Sequence, residues 1–233
     1  MLKANASTNA RVEVTNAYMR GVYRWMTLGL AVTAALAFTV VSSEQLIELL
    51  FTNSFLLIGL LVVEVGLVMG ITAGINRMSG TTASGLFLLY SALNGITLSA
   101  ILLVYTQAAV FQAFVTTAGM FLAMSVYGSV TKRDLTGMGS FLTMGLFGLI
   151  IASIVNIFMQ STMMEFIISA VGVLIFTGLT AYDTQKLKAF GESAPLNDAT
   201  AMQRGTILGA LTLYLDFINL FIMMLRLFGS SRD

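Results

Sequence analysis

Seven runs of about twenty or more apolar residues dominate this sequence, at roughly 23–42, 53–76, 83–105, 108–130, 137–159, 163–185 and 206–228. No soluble domain can hide so many, because soluble chains average about 25% charged residues, and this one has 10% charged against 57% hydrophobic. At ~20 residues per span, 233 residues are filled by seven helices and short connections. The single proline and the lack of sustained period-2 alternation argue for helices over an outer-membrane barrel. The expected fold is an all-α membrane protein: a segment 1–22, one seven-helix domain 23–228 and a tail 229–233. The tightest division falls between Tyr105 and Ala108, where only Thr106 and Gln107 separate two spans.

Composition also excludes chemistries. Without cysteine there is no disulfide, thiolate nucleophile or sulfur ligand, and without histidine the usual metal ligand and pH switch are missing. No bound cofactor is expected. A formal net charge of +1, with basic residues scattered over short loops, offers no footprint for nucleic acid. The polar first 22 residues lack the apolar core of a cleavable signal, so the first span is expected to direct insertion. No repeat is visible, the methionines read as packing, and the one linker-like segment, 191–200, reads as a loop between the last two spans.

Lys3, Arg11, Arg20 and Arg24 precede the first span, and Arg77, Lys132, Arg133, Lys186, Lys188 and Arg204 fall in every second connection. The opposite connections carry Glu44, Glu48 and Glu165 with no Lys or Arg. This asymmetry places the N-terminus in the cytoplasm. An odd helix count then puts the C-terminus outside, with Arg226 snorkelling to the interface and Arg232 in the tail. A re-entrant last segment with a cytoplasmic tail is the alternative.

Three acids lie within or at the edge of apolar spans: Glu64, Asp183 and Asp216. An ionised carboxylate at mid-bilayer costs at least ~2.5–3.5 kcal/mol, so such groups face the bundle interior, pair, or take up a proton. Asp216 is the only charge in 210–224, and Gly209, Thr212 and Asn219 share its helical face. Gly205 and Gly209 also let a neighbouring backbone approach, as expected of a last helix surrounded by the others. A protonated carboxyl gluing helices together is the structural alternative. Asp183 falls near the end of its span, where Lys186 at i+3 is a ready partner. Glu64 sits mid-span between Val63 and Val65 and reads as part of a polar pathway or as a structural hydrogen bond. Arg77 is either a positive-inside anchor or a counter-ion to the carboxylates, and Asn94 either lines the pathway or holds helices together.

These residues carry a resemblance. The segments Ala181-Tyr182-Asp183-Thr184-Gln185-Lys186 and Leu213-Tyr214-Leu215-Asp216-Phe217-Ile218-Asn219-Leu220-Phe221 resemble the paired signature of the Bax inhibitor family of multispanning membrane proteins. Val22-Tyr23-Arg24-Trp25-Met26, Val63-Glu64-Val65 and Asn94-Gly95-Ile96-Thr97-Leu98 extend the likeness over nearly the whole chain. The resemblance implies seven helices with the last one central, and a pH-sensitive calcium leak gated by two aspartates that match Asp183 and Asp216. It makes Arg77 their counter-ion, although the family's arginine region is more basic than Asn76-Arg77-Met78, and it puts Glu64, with Asn94 and Asn219, along the route. Calcium would be the permeant ion and a transient ligand of Asp183 and Asp216. A short N-terminal extension places the chain, by analogy, among the bacterial inner-membrane members.

The chemistry is self-consistent. Two carboxyls close together in low dielectric cannot both ionise cheaply and titrate as a unit, which supplies a pH switch without histidine. Ionised, they offer hard oxygens to Ca²⁺, whereas a shared proton removes charge and ligand together. The difficulty is geometric, because helical rise puts Asp216 ~15 Å into a span starting at Thr206 while Asp183 lies near the membrane face. No enzymatic activity is expected. An intramembrane aspartyl protease would carry Gly-X-Gly-Asp where this chain has Leu213-Tyr214-Leu215-Asp216, and its Pro-Ala-Leu segment is missing. A non-conducting regulator that binds other membrane proteins is the main rival.

Overall fold

The computed structural model describes residues 2–194 and 198–229, with side chains from residue 11 onward. Pro195, Arg232, the Lys3 side chain and tail residues 230–233 lie outside the described residues. Eight α-helices follow one another: α1 (Leu2–Val41), α2 (Glu44–Phe51), α3 (Ser54–Gly74), α4 (Gly80–Val104), α5 (Gln107–Val130), α6 (Thr136–Met159), α7 (Thr162–Ser193) and α8 (Ala199–Phe228), with a 3-10 turn Ile75–Arg77 after α3. Among the described residues seven helices are long and apolar enough to cross a membrane; α2 is not.

Side-chain caps set the tight turns. Thr106 Oγ1 accepts from Ala109 N at 3.2 Å, which starts α5 with only two residues between it and the end of α4. Gln160 takes the left-handed conformation at φ 51° and Asn156 Oδ1 accepts from Ser161 N at 3.1 Å, turning α6 into α7. Asp134 Oδ1 accepts from Thr136 N at the head of α6, and these hydrogen bonds hold the exposed Asp134 carboxyl below its ordinary pKa.

The apolar runs locate the helices but not their ends. One helix crosses the boundary between residues 22 and 23, so that boundary marks a change of polarity within α1. Likewise α7 runs past Gln185 to Ser193, and α8 begins at Ala199 instead of Thr206. The loop read over 191–200 is therefore shorter, its first three residues belonging to α7. These extensions contain no proline to stop them. The amphipathic α2, capped by Ser43, was hidden inside a connection too short to suggest a span.

The chain divides into two units, residues 1–104 with 190–211, and 105–189 with 212–233. In the first, α1 packs chiefly on α4. Thr33 Oγ1 donates to Ser91 O at 2.8 Å, and the absent Cβ of Gly95 would collide with the Thr33 carbonyl oxygen. Tyr18 OH donates to Gly205 O at 3.2 Å and its ring meets Phe190, while Arg11 Nη1 reaches Glu192 O. Arg204 ties down the 3-10 turn, donating from Nε to Met78 O at 2.6 Å and from Nη1 to Asn76 O at 3.1 Å.

In the second unit α7 packs against both α5 and α6. A Cβ on Gly128 would strike the Ala181 carbonyl, and one on Gly139 would lie 2.5 Å from the Tyr182 ring. Gln185 bridges the α5–α6 connection, accepting from Leu135 N and donating to Arg133 O. Phe217 of α8 stands edge-on to Phe114 and Phe121 of α5. In lipid the hydrophobic effect does not drive helices together, so such small-residue contacts carry the packing. Among the seven spans α8 is the most enclosed, 67% of its apolar window being buried against 6% for α6. High burial of the last helix is what its small and polar face leads one to expect.

Candidate functional site: a carboxyl pair on the last two helices

Asp183 projects from α7 and Asp216 from α8, and their carboxyls lie close enough to couple. Two carboxyls so placed can hydrogen-bond to each other only when one holds a proton, since ionised carboxylates are acceptors alone. Asp216 is buried and Asp183 half-buried. Asp216 Oδ2 has no donor, and the buried hydroxyls of Thr177 and Thr184 on α7 are likewise unpartnered. The pair sits at one end of a 620 Å³ cavity also lined by Thr212, Asn219 and Arg226. Asn219 Nδ2 donates to Leu215 O at 2.8 Å. Lys186, one turn beyond Asp183, places its charge within reach of that carboxyl and its Nζ 5.7 Å from the Tyr182 ring centroid.

Glu64 belongs to a separate cluster in the first unit. Its Oε2 accepts from Asn94 Nδ2 at 3.1 Å and its Oε1 from Thr97 Oγ1. Both Glu64 and Asn94 are buried. The structure thus joins Glu64 to Asn94 and joins Asp183 to Asp216 beside Asn219. Arg77 is exposed in its 3-10 turn. Among the described residues no three or more Asp, Glu, Cys or His side chains gather as for a tightly held metal.

Residues 15–233 match the family described as "Inhibitor of apoptosis-promoting Bax1". The chain belongs to the Bax inhibitor family. Within it, the chain is 51% identical over 215 residues to Inner membrane protein YbhL of Escherichia coli K12, covering 92% of each chain. It is 44% identical over 220 residues to a protein of Borreliella burgdorferi, covering 94% of each, and 39% identical over 221 residues to a membrane protein of Streptococcus pyogenes, covering 93% of each. The family match takes in the carboxyl pair, Glu64 and Arg77 alike.

For this Bax inhibitor family protein two residues take places that the sequence reading did not give them: Thr97 stood there only within a motif and Arg226 only as an interfacial anchor. Thr97 lies three residues after Asn94 on the same helical face, a spacing that marks it as a second donor to Glu64. Arg226 lies seven residues after Asn219, two helical turns along, and lines the same cavity. Replacing Glu64 by Leu removes the bonds from Asn94 Nδ2 and Thr97 Oγ1 and should lower stability by about 1–3 kcal/mol. Reversible unfolding in mixed micelles checks this, and unchanged stability would mean that the cluster is not holding α3 to α4.

Proposed function

We propose that this protein is a pH-sensitive calcium leak of the Bax inhibitor type, a channel or transporter and not an enzyme, working in a bacterial inner membrane with its N-terminus cytoplasmic. The observation that carries the reading is the pairing of the Asp183 and Asp216 carboxyls, which line one cavity as close neighbours. A shared proton leaves the pair with a single negative charge, and its loss leaves two adjacent negative charges and up to four hard oxygens. Those oxygens suit Ca²⁺, and a site with few protein ligands binds weakly enough to release what it admits. The orphaned Asp216 oxygen supports the reading, because buried polar atoms are rarely left unsatisfied without a functional cause. Glu64, Asn94 and Asn219 are assigned to the route. The non-conducting regulator remains the competing reading, and the name of YbhL supports the inner-membrane assignment.

The sign of the pH response follows from this chemistry: calcium flux rises as pH rises through the titration of the pair. Arg77 and Lys186 are the two cations proposed to balance its charge. Removing the operative one disfavours the ionised form, so protonation persists to higher pH and the flux midpoint moves upward. Calcium flux into liposomes holding the purified protein, recorded across pH for wild type, Arg77→Gln and Lys186→Gln, tests the reading. Absence of flux at every pH favours the regulator; flux with no upward shift in either variant removes both counter-ion assignments.

A further inference from the structure

We infer that the open-sided cavity of the second unit is a binding groove for one phospholipid with a zwitterionic ethanolamine headgroup. The end of the 620 Å³ cavity away from the carboxyl pair runs into a second, 330 Å³ cavity, the two sharing Ser153, Ile157 and Arg226. Their characters differ. The first is walled for most of its length by Leu and Ile side chains, including Leu149, Ile150, Ile154 and Ile222. The second gathers Asn156, Gln160, Glu165 and Arg226 at the α6–α7 turn. Ile150, Ile154 and Ile157 are exposed, so the apolar wall opens sideways toward lipid. Glu165 and Arg226 both act on Tyr105, whose phenol burial pushes upward in pKa and Glu165 pushes further, against the opposing pull of Arg226.

Opposite charges at the polar end and an aliphatic slot behind it match one amphiphile end to end. A guanidinium takes a phosphate diester in bidentate fashion, and a carboxylate beside it accepts from a primary ammonium. Glu165 repels a purely anionic headgroup, and a quaternary ammonium has no N–H to offer it. The length also fits. Arg226 and Asp216 are about ten residues apart on α8, ~15 Å of helix, which is half of a ~30 Å hydrocarbon core and thus the depth of one leaflet. A chain lying there ends beneath Asp216 and closes the cavity under the carboxyl pair. The binding stands whether or not that pair conducts calcium.

The test uses wild-type protein in nanodiscs of equal phosphatidylethanolamine, phosphatidylcholine and phosphatidylglycerol, followed by mild detergent extraction and native mass spectrometry. One phosphatidylethanolamine per protein is expected, favoured about tenfold over the others, as for one charge-assisted hydrogen bond. Glu165→Gln should keep a lipid but lose the preference over phosphatidylcholine. Arg226→Gln should lose retention and Arg226→Lys keep most of it, and Ile154→Trp, which fills the groove and leaves both charges in place, should lose it also. Equal retention of the three lipids by wild type and variants overturns the assignment. So does a lipid-free dimer, which makes the groove an interface between copies, or full competition by soluble phosphoethanolamine, which reduces the site to its polar cavity.

Discussion

Asp216→Asn is expected to leave calcium flux flat across pH, and at high pH to lower it at least tenfold. Asparagine keeps the shape and an oxygen but removes the titrating charge. A unit charge pair ~4 Å apart is worth about 4 kcal/mol at an effective dielectric constant of ~20, and ~1.4 kcal/mol is already a factor of ten. Asparagine keeps one oxygen facing Asp183, and the orphaned Oδ2 has no donor to lose in the exchange, so the variant should fold as the wild type does. Flux in proteoliposomes at several pH values, with the melting temperature as control, reads both. A variant with wild-type flux and an unshifted profile would return Asp216 to the role of helix glue.

Gly128→Ala is the second large effect, and here the sign opposes propensity. In an exposed helix interior, Gly to Ala stabilises by about 1 kcal/mol. At Gly128 the new methyl meets the Ala181 backbone, colliding with its carbonyl oxygen and lying 3.0 Å from its C and Cα. No rotamer change relieves a backbone contact, so α5 and α7 must separate, at a cost of about 1–3 kcal/mol typical of overpacking. Because Ala181 is two residues from Asp183, the pH profile of flux should shift as well. Gly119→Ala on the same helix, with nothing within 4 Å of its Cβ, is the control and should be neutral or stabilising. Equal melting temperatures for the two variants would show that α5 and α7 are less closely seated than described.

How much of this could be read from residues alone differs by level. The seven spans follow from continuous apolarity, which length and hydropathy encode directly. Their ends do not, since Lys, Gln, Arg and Ala extend a helix into water as readily as Leu does in lipid. That one omission created the geometric difficulty over the pair. With α7 running about ten residues past Asp183, ~15 Å, that carboxyl is no longer near a helix end, and with α8 starting at Ala199 both acids are recessed. Asp216 declared itself as a lone charge on a small polar face, whereas its partner was identified through the family resemblance, because Asp183 beside Lys186 looks like an interfacial ion pair. The cavity wall on α6 was not legible. Thr143 and Ser153 sit in a helix that is apolar all round, and only three-dimensional packing distinguishes its cavity side from its lipid side.

The central claim is that one proton shared by Asp183 and Asp216 sets the calcium flux. Its most direct test follows the protonated-carboxyl infrared band and the flux in the same proteoliposomes as pH is raised, with Asp183→Asn and Asp216→Asn used to assign the band. The account requires a band lost in both variants, disappearing in wild type with the same midpoint at which flux rises. A band that persists while flux changes, or midpoints that move independently, would contradict it.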